Sequence, residues 1–273
     1  MQILFGEKGI KSNFNLFFIH EYKIEDTVFT VRTRNCFRSG ANIAKKNPSS
    51  LRIHASEIHD VKIEADLKAE RKIIQYLSKN SQLPILSEES GEIKNASSSQ
   101  TDSELRWIVD PLDGSLNYTK GIPMCGVSIG LWDAEIPILG VVYDIFRGDL
   151  YSGIVGDASW KNRRKIRVSQ VRAEFDSVLC TGIPVKNNFS TKTLNSFVSE
   201  FQKYKKVRLL GSASLSLCMV ASGAAEIYKE TNIQIWDVGG GIPVVLGAGG
   251  NVTFYKTLVS QYTYDVRATN GSL

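Results

Sequence analysis

Short runs of apolar residues dominate the middle of the chain and are typical of buried β-strands. The first run is Trp107-Ile108-Val109, and two further runs follow at residues 125–131 and 137–143. Runs of this length, rich in β-branched residues and bounded by turn-forming residues, predict strands. Another strand is predicted to begin in the segment 149–153. This part of the chain is therefore expected to form a sheet with many antiparallel strands.

Helical spacing of apolar residues marks other segments. Between Asp66 and Leu77 the apolar positions recur at helical intervals, which predicts a helix with Asp66 as its N-cap. The second half of the chain, from residue 171, alternates between the two patterns. Its predicted elements are helices at 191–204 and 215–221 and strands at 208–210 and 224–230.

The last predicted helix begins at Asp237, whose side chain is expected to serve as its N-cap. Gly239-Gly240-Gly241 and Pro243 follow immediately. An interior glycine costs about 1 kcal/mol relative to alanine, and an interior proline about 3 kcal/mol. We therefore expect this helix to be loosely held and Asp237 to be imprecisely placed.

Two aspartates end the first apolar run and are the strongest chemical signal in the sequence. Pro111 biases Asp110 toward an extended backbone, and Gly114 permits a tight bend. The carboxylates of Asp110 and Asp113 and the carbonyl of Leu112 are therefore predicted to converge. Such oxygen ligands suit Mg²⁺ or Mn²⁺. The alternative is a simple turn in which the side chains hydrogen-bond their own backbone.

Size and composition are those of an ordinary globular protein. The 273 residues are 42% hydrophobic and 22% charged, and the net charge is +5. This mild basic excess would attract phosphate esters but is too small to indicate nucleic acid. The four cysteines are far apart, and no apolar run approaches the roughly 20 residues that span a bilayer. We therefore expect a cytoplasmic protein without a signal peptide or membrane segment.

The segment 107–118, with the sequence WIVDPLDGSLNY, resembles the signature of the inositol monophosphatase superfamily. Further segments agree with the family in the same order: 60–66 (DVKIEAD), 87–90 (SEES) and 236–238 (WDV) followed by 248–250 (AGG). The similarity covers roughly residues 39–270, which is far more than one short motif. The superfamily consists of metal-dependent, lithium-sensitive phosphatases and includes fructose-1,6-bisphosphatase and 3'(2'),5'-bisphosphate nucleotidase.

The resemblance implies an α+β fold of the sugar phosphatase type, a layered α/β/α/β/α sandwich with mixed and largely antiparallel sheets. Residues 39–170 would form an α+β half with the main metal site, and residues 171–273 an α/β half that completes it. Residues 1–38 lie outside the family pattern and are an N-terminal extension of unknown role, with strand-like alternation at 27–32. The polar stretch 96–103 is expected to be a mobile loop beside the metal site.

The resemblance also implies two or three Mg²⁺ ions, with Mn²⁺ as an alternative. The ligand set carried over from the family comprises four carboxylates and one carbonyl: Glu88, Asp110, Leu112, Asp113 and Asp237. An acidic residue in the position of Glu88 would otherwise be interpreted as a solvated strand edge. Asp66 would bond the hydroxyl of Ser115, although helix capping alone accounts for an aspartate there.

The catalytic residues implied by the resemblance are Glu88, Ser115 and Asp66. Ser115 stands where family members more often have threonine and would orient the attacking water together with Glu88. Two cations would activate that water and stabilise the leaving oxygen. The resemblance implies the following substrate-binding positions, three of which are acidic: Asp113, Gly114, Ser115, Gly211, Ser212, Ala213, Glu230 and Asp237.

The expected activity is hydrolysis of inositol monophosphate or a related sugar phosphate. The sequence SLNY at 115–118 resembles the inositol and fructose-bisphosphate branch, while a 3'(2'),5'-bisphosphate nucleotidase and a non-enzymatic binding module stay open as alternatives. The resemblance implies a homodimer with a small phosphorylated substrate. The basic stretch 161–167 lies at a predicted hairpin turn and lacks interleaved aromatic residues, so nucleic acid is not a predicted partner.

Overall fold

The computed structural model describes residues 3–4, 53–57, 60–94, 104–183 and 190–273. The strand predicted at 27–32 and the loop predicted at 96–103 lie outside these residues, as does most of the extension. In the described part of the chain, every helix is too short or too polar to cross a bilayer.

The strands and helices are numbered in chain order. The strands are β1 (Ile3–Leu4), β2 (Ile53–Glu57), β3 (Asp60–Ile63), β4 (Ile85–Ser87), β5 (Gly91–Ile93), β6 (Leu105–Asp113), β7 (Gly126–Asp133), β8 (Ile136–Asp144), β9 (Leu150–Ile154), β10 (Ser159–Lys161), β11 (Arg164–Ile166), β12 (Val178–Thr181), β13 (Lys206–Leu209), β14 (Ile227–Gln234), β15 (Asn251–Lys256) and β16 (Thr263–Thr269). The α-helices are α1 (Glu64–Asn80), α2 (Ser115–Lys120), α3 (Thr191–Phe201), α4 (Ala213–Ala221), α5 (Ile235–Gly239) and α6 (Gly241–Gly247).

An eight-stranded sheet contains the apolar runs from the middle of the chain. Its strand order is β11-β10-β9-β8-β7-β6-β4-β5. β4 and β6 run parallel, and the other neighbours are antiparallel. β6, β7 and β8 are buried along most of their length, as the continuous apolar runs predicted. The basic stretch forms the predicted hairpin, with its turn between β10 and β11.

A six-stranded sheet contains most strands of the second half. Its order is β1-β15-β16-β14-β12-β13, with β12 parallel to both of its neighbours and the other pairs antiparallel. β1 lies at one edge, so residues 3–4 of the extension add a strand to this sheet. A separate ribbon of β2 and β3 leads directly into α1.

The helices cover and separate the two sheets. α1 packs Leu77 against one face of the eight-stranded sheet. α4, α5 and α6 lie between the sheets, where Leu217, Val238 and Val244 are completely buried. α3 contributes Phe201 to a small cluster on the outer face of the six-stranded sheet. The predicted layered α+β fold with largely antiparallel sheets is therefore confirmed.

Two helix starts differ from the prediction. α1 begins at Glu64, so Asp66 is its third residue and not its N-cap. α5 begins at Ile235 with Gln234 as its N-cap, so Asp237 is likewise the third residue of its helix. Both aspartates still lie in a first turn, where the helix dipole favours a negative charge. The strand predicted at 224–230 is shifted toward the C-terminus and is β14.

The glycine-rich segment 239–241 is closely packed, which corrects the expectation of a loose helix. A Cβ added to Gly240 would lie 2.7 Å from Ser128 Oγ and 2.8 Å from the backbone nitrogen of Ile129. On the sheet, a Cβ added to Gly140 would collide with the Gly240 carbonyl. The φ of Gly240 is −82° and its ψ is −33°, which are ordinary helical values. Glycine is thus required here by lack of space and not by backbone freedom.

Candidate active site

The end of β6 carries the central motif and contains a β-bulge. Asp110 lies opposite Ser128 of β7, whereas Asp113 lies opposite Gly126, so three steps along β6 match two along β7. In a regular strand, side chains three residues apart point to opposite faces, and the extra residue of the bulge brings Asp110 and Asp113 to the same face. Proline has no N–H to donate to a neighbouring strand. Pro111 is tolerated here because the bulge interrupts the regular pairing that would need this N–H.

Asp110 is completely buried, and its two carboxylate oxygens have different surroundings. Oδ1 accepts a hydrogen bond of 2.9 Å from the Leu112 N–H, whereas Oδ2 is buried and has no hydrogen-bond partner in the described part of the chain. Burial raises the pKa of Asp110 well above its usual value, and the nearby carboxylates of Glu88, Asp113 and Asp237 raise it further. A cation beside Oδ2 would offset both effects.

Asp113 is bound to the N-terminus of α4. Its Oδ2 accepts hydrogen bonds from the Ser212 hydroxyl at 2.6 Å, from the Ser214 N–H at 2.8 Å and from the Ser214 hydroxyl. Its Oδ1 accepts a bond of 3.3 Å from the Ala213 N–H. Burial raises the pKa of Asp113, and the hydrogen bonds from Ser212 and Ser214 counteract this shift. Two predicted substrate-binding residues, Ser212 and Ala213, therefore contact a predicted metal ligand directly.

Asn117 and two glycines hold the motif against the loop that precedes α4. Gly114 has a φ of 92° and Gly211 a φ of 68°, in the left-handed region that favours glycine. The Asn117 side chain donates hydrogen bonds to the Leu210 carbonyl at 2.7 Å and to the Met124 carbonyl at 2.9 Å. The sequence places Asn117 within the signature, but only these tertiary contacts reveal what its side chain does.

Ser115 lies between two oxygen acceptors at the start of α2. Its hydroxyl is 2.9 Å from the Leu112 carbonyl and 3.3 Å from Asp66 Oδ1. Asp66 is almost completely buried, so its carboxylate is held at this position on α1. The structure thus brings together the Asp66 and Ser115 side chains that the resemblance paired.

Glu88 lies in the turn after β4, and the turn is supported by a residue that the sequence analysis missed. The Glu88 N–H donates to the Val109 carbonyl at 3.2 Å, which places Glu88 beside β6. Glu70 of α1 is buried and accepts hydrogen bonds from the Ser87 hydroxyl at 2.5 Å and from the N–H and hydroxyl of Ser90 at 3.0 and 2.7 Å. A sequence signal existed, because Glu70 shares the helical spacing of the buried residue Leu77.

Asp237 and Glu230 reach the same region from the second half of the chain. Asp237 accepts a hydrogen bond from the Gln234 N–H, and burial followed by the neighbouring carboxylates raises its pKa well above the usual value. Glu230 accepts a hydrogen bond of 2.9 Å from the Tyr228 hydroxyl. Burial raises the pKa of Glu230 to about 7, with a smaller upward contribution from Asp113.

The chemistry of these residues fits a divalent cation. The predicted ligands are hard oxygen donors, and one of them, Asp110 Oδ2, is buried with no hydrogen-bond partner within the described ranges. Among the residues that the structure describes, no group of three or more aspartate, glutamate, histidine or cysteine side chains is arranged closely enough to hold a metal ion as it stands. Repulsion between carboxylates favours wider spacing than ligation requires, and a cation would draw them together.

The layered fold and the carboxylate-rich end of β6 agree with the family that the sequence motifs resemble, and comparison with known proteins supports this family. The model of the inositol monophosphatase family matches residues 24–270, so the family similarity begins before residue 39, where the sequence motifs had placed its start. The chain therefore belongs to the inositol monophosphatase family.

Some similar proteins are named inositol monophosphatase, and others are named Nus factor SuhB. An inositol-1-monophosphatase of Synechocystis sp. is 36% identical over 220 residues, which cover 78% of this chain and 74% of the relative. Nus factor SuhB of Pasteurella multocida is 30% identical over 232 residues, which cover 82% of this chain and 84% of the relative. The solved structure of inositol monophosphatase from Anabaena (Nostoc) sp. has a TM-score of 0.71 at 32% identity and covers 87% of this chain and 88% of that chain.

These comparisons confirm the family that the sequence motifs indicated and the fold that the family implies. Family membership also supports a phosphatase that uses metal ions. The roles of individual site residues are not tested by these comparisons and stay predictions.

Proposed function

We propose that this protein is a Mg²⁺-dependent phosphomonoesterase that hydrolyses inositol monophosphate or a related sugar phosphate. Family membership and the similarity to the Synechocystis inositol-1-monophosphatase support this proposal. The observation that carries it is Asp110, whose buried Oδ2 has no hydrogen-bond partner among the residues that the structure describes and whose carboxylate lies near three others. A buried carboxylate in such surroundings is stabilised by a bound cation.

The residues that would hold two or three Mg²⁺ ions are Glu88, Asp110, Asp113, Asp237 and the carbonyl of Leu112. Magnesium, when bound, supplies a Lewis acid that activates water and stabilises the leaving oxygen. The Ser115 hydroxyl has one proton, which it donates toward the Leu112 carbonyl or Asp66. Its lone pairs are then available to accept a hydrogen bond from the attacking water and orient it together with Glu88.

The substrate would bind between the two sheets. The N–H groups of Gly114 and Ser115, at the start of α2, are suited to the phosphate. Glu230 would accept a hydrogen bond from a substrate hydroxyl, and its ionised form offers two acceptor oxygens for this purpose. The loop Gly211-Ser212-Ala213 would contact the rest of the substrate, and Asp113 already holds that loop in place.

A second candidate function is binding without catalysis. The similarity to the Nus factor SuhB of Pasteurella multocida supports it. The four carboxylates favour the enzyme, and the SLNY sequence favours a sugar phosphate over the nucleotidase alternative.

Five further expectations stay predictions. They are the division into halves at residue 170, the homodimer, the cytoplasmic location, the use of Mn²⁺ and the exclusion of nucleic acid.

A phosphatase screen tests the proposal. Phosphate release would be measured from inositol, fructose, histidinol and nucleotide phosphates, with and without Mg²⁺, for the parent protein and for Asp110→Asn. We expect Mg²⁺-dependent release from an inositol or sugar phosphate, lost in Asp110→Asn. Preference for an adenosine bisphosphate would instead support the nucleotidase. No Mg²⁺-dependent release from any substrate would refute the phosphomonoesterase and favour the binding role.

A further inference from the structure

Ser128 of β7 connects the two parts of the candidate site. It is completely buried and lies directly opposite Asp110 in the pairing of β6 with β7. Its hydroxyl donates a hydrogen bond of 3.2 Å to the Trp236 carbonyl and accepts one of 3.1 Å from the Gly240 N–H. Trp236 immediately precedes Asp237, so one side chain of the eight-stranded sheet holds the short helix that carries Asp237.

The Ser128 hydroxyl occupies the place of a helical hydrogen bond. In an uninterrupted α-helix the Gly240 N–H would donate to the Trp236 carbonyl, four residues earlier. Here the hydroxyl stands between these two groups and satisfies both of them. Insertion of a side chain into the helical ladder is an established cause of a kink. It accounts for the end of α5 at Gly239 and the start of α6 at Gly241.

Trp132 and Gly240 support this insertion, the first by a further hydrogen bond and the second by leaving space for the Ser128 hydroxyl. The Trp132 indole N–H donates to the Gly239 carbonyl at 2.9 Å, which is a second hydrogen bond from β7 to the same break. Gly240 has no Cβ, and an added one would lie 2.7 Å from Ser128 Oγ. Close approach of the glycine backbone therefore allows Ser128 to reach both groups.

We propose that Ser128 is a positioning residue that sets the direction of Asp237 toward Asp110, with Trp132 as a second anchor. The proposal rests on the proposed function, because it concerns the cation site that these aspartates would form. Without the hydroxyl, the Gly240 N–H and the Trp236 carbonyl either bond each other, which straightens the helix, or are left unpaired. Both outcomes displace the first turn of α5 and with it the Asp237 carboxylate.

The test compares Ser128→Ala with Ser159→Ala. Ser159 of β10 is a matched control, because it is also completely buried and donates a hydrogen bond of 2.7 Å to the Val244 carbonyl of α6, beyond the break. Mg²⁺ binding to metal-free protein would be measured by titration calorimetry, together with the Mg²⁺ concentration for half-maximal phosphatase activity. We expect Ser128→Ala to weaken Mg²⁺ binding by about 10-fold, the usual effect of removing a group that orients a metal ligand.

Several outcomes decide the proposal. We expect Ser159→Ala to keep the Mg²⁺ affinity of the parent, and Ser128→Ala to approach the activity of the parent at saturating Mg²⁺. If both variants bind Mg²⁺ like the parent, the positioning role is wrong while the proposed function stands. If the parent itself neither binds Mg²⁺ nor releases phosphate, both are wrong. Should Ser128→Ala fail to fold, Trp132→Phe removes the second anchor, and unchanged Mg²⁺ affinity in that variant would overturn the proposal.

Discussion

Asp110 and Asp113 lie at the same end of β6 but in opposite hydrogen-bonding surroundings. Among the described residues, Asp110 Oδ2 has no hydrogen-bond partner, whereas the Asp113 carboxylate accepts hydrogen bonds from Ser212, Ala213 and Ser214. Conversion of Asp110 to asparagine removes a repelling charge. The same change at Asp113 places an NH₂ donor where hydroxyl and N–H groups already donate. The two aspartates therefore differ in what they contribute to stability.

We expect Asp110→Asn to leave the metal-free protein at least as stable as the parent. Asp113→Asn should lower the free energy of unfolding by about 1–3 kcal/mol, because buried donors at the start of α4 lose their acceptor. Both variants should lose Mg²⁺-dependent turnover. Urea denaturation in the presence of EDTA measures the stabilities. Stabilisation by both substitutions would contradict the role of Asp113 in holding α4.

At the scale of elements, backbone contact between α5, α6 and the eight-stranded sheet shapes the site. Gly239 and Gly240 face Gly130 and Gly140 of the sheet, and a Cβ on either sheet glycine would collide with a carbonyl of the helical segment. Because these contacts leave no room for side chains, the backbone of the helical segment packs directly against β7 and β8. This closeness brings Asp237 of one half near Asp110 of the other.

We expect Gly240→Ala to lower the free energy of unfolding by about 1–3 kcal/mol, the usual cost of overpacking a core. Its Cβ would press on Ser128 Oγ and on backbone atoms of Ile129 and Val141, all at 2.7–2.8 Å. Gly239→Ala should lower the free energy of unfolding less, because its Cβ would meet mainly the Ile108 side chain, at 3.0 Å. Thermal unfolding of both variants measures the difference. A Gly240→Ala protein as stable as the parent would show that the segment is loose.

At the scale of the whole molecule, the candidate site collects buried and half-buried carboxylates from both sheets. Asp110 comes from the eight-stranded sheet, Glu230 from the six-stranded sheet, and Asp237 from the helices between them. Burial raises the pKa of each of them, and neighbouring carboxylates add to the shift. The layers therefore meet at a point of concentrated negative charge, which destabilises the fold unless protons or cations neutralise it.

We expect the stability of the metal-free protein to fall as pH rises from about 5 to about 8. A carboxyl group whose pKa is raised on folding stabilises the fold while it is protonated, and this contribution is lost as pH rises through the folded pKa. Glu230, with a pKa of about 7, places part of the loss near neutrality. Bound Mg²⁺ should reverse the trend, because the ionised carboxylates bind it more tightly.

Melting temperatures across this pH range, in EDTA and in saturating Mg²⁺, provide the measurement. Mg²⁺ should raise the melting temperature more at the alkaline end of the range than at the acidic end. Asp110→Asn is the control, and its melting temperature in EDTA should depend less on pH than that of the parent. If the melting temperature of the parent protein is independent of both pH and Mg²⁺, this cluster of carboxylates is ruled out.

The sequence by itself determined the elements and their order, because these depend on local patterns. The apolar runs predicted β6, β7 and β8, and helical spacing predicted α1, α3 and α4. The signature around Asp110 indicated the family, which the comparisons confirm. Helix starts at Asp66 and Asp237 were wrong by a few residues, since a carboxylate in the first turn satisfies the same local preference as an N-cap.

Only the tertiary structure decided how the site is held. Asp113 bonds Ser212, and Ser128 bonds Gly240, across separations of 99 and 112 residues that leave no local pattern. The glycines at 239–241 illustrate the difference most clearly. Judged as an isolated helix, they predict looseness, because glycine has high backbone entropy in the unfolded chain. In the folded protein Gly240 is nevertheless required, because backbone atoms of Ile129 and Val141 in the sheet lie where its side chain would have to be.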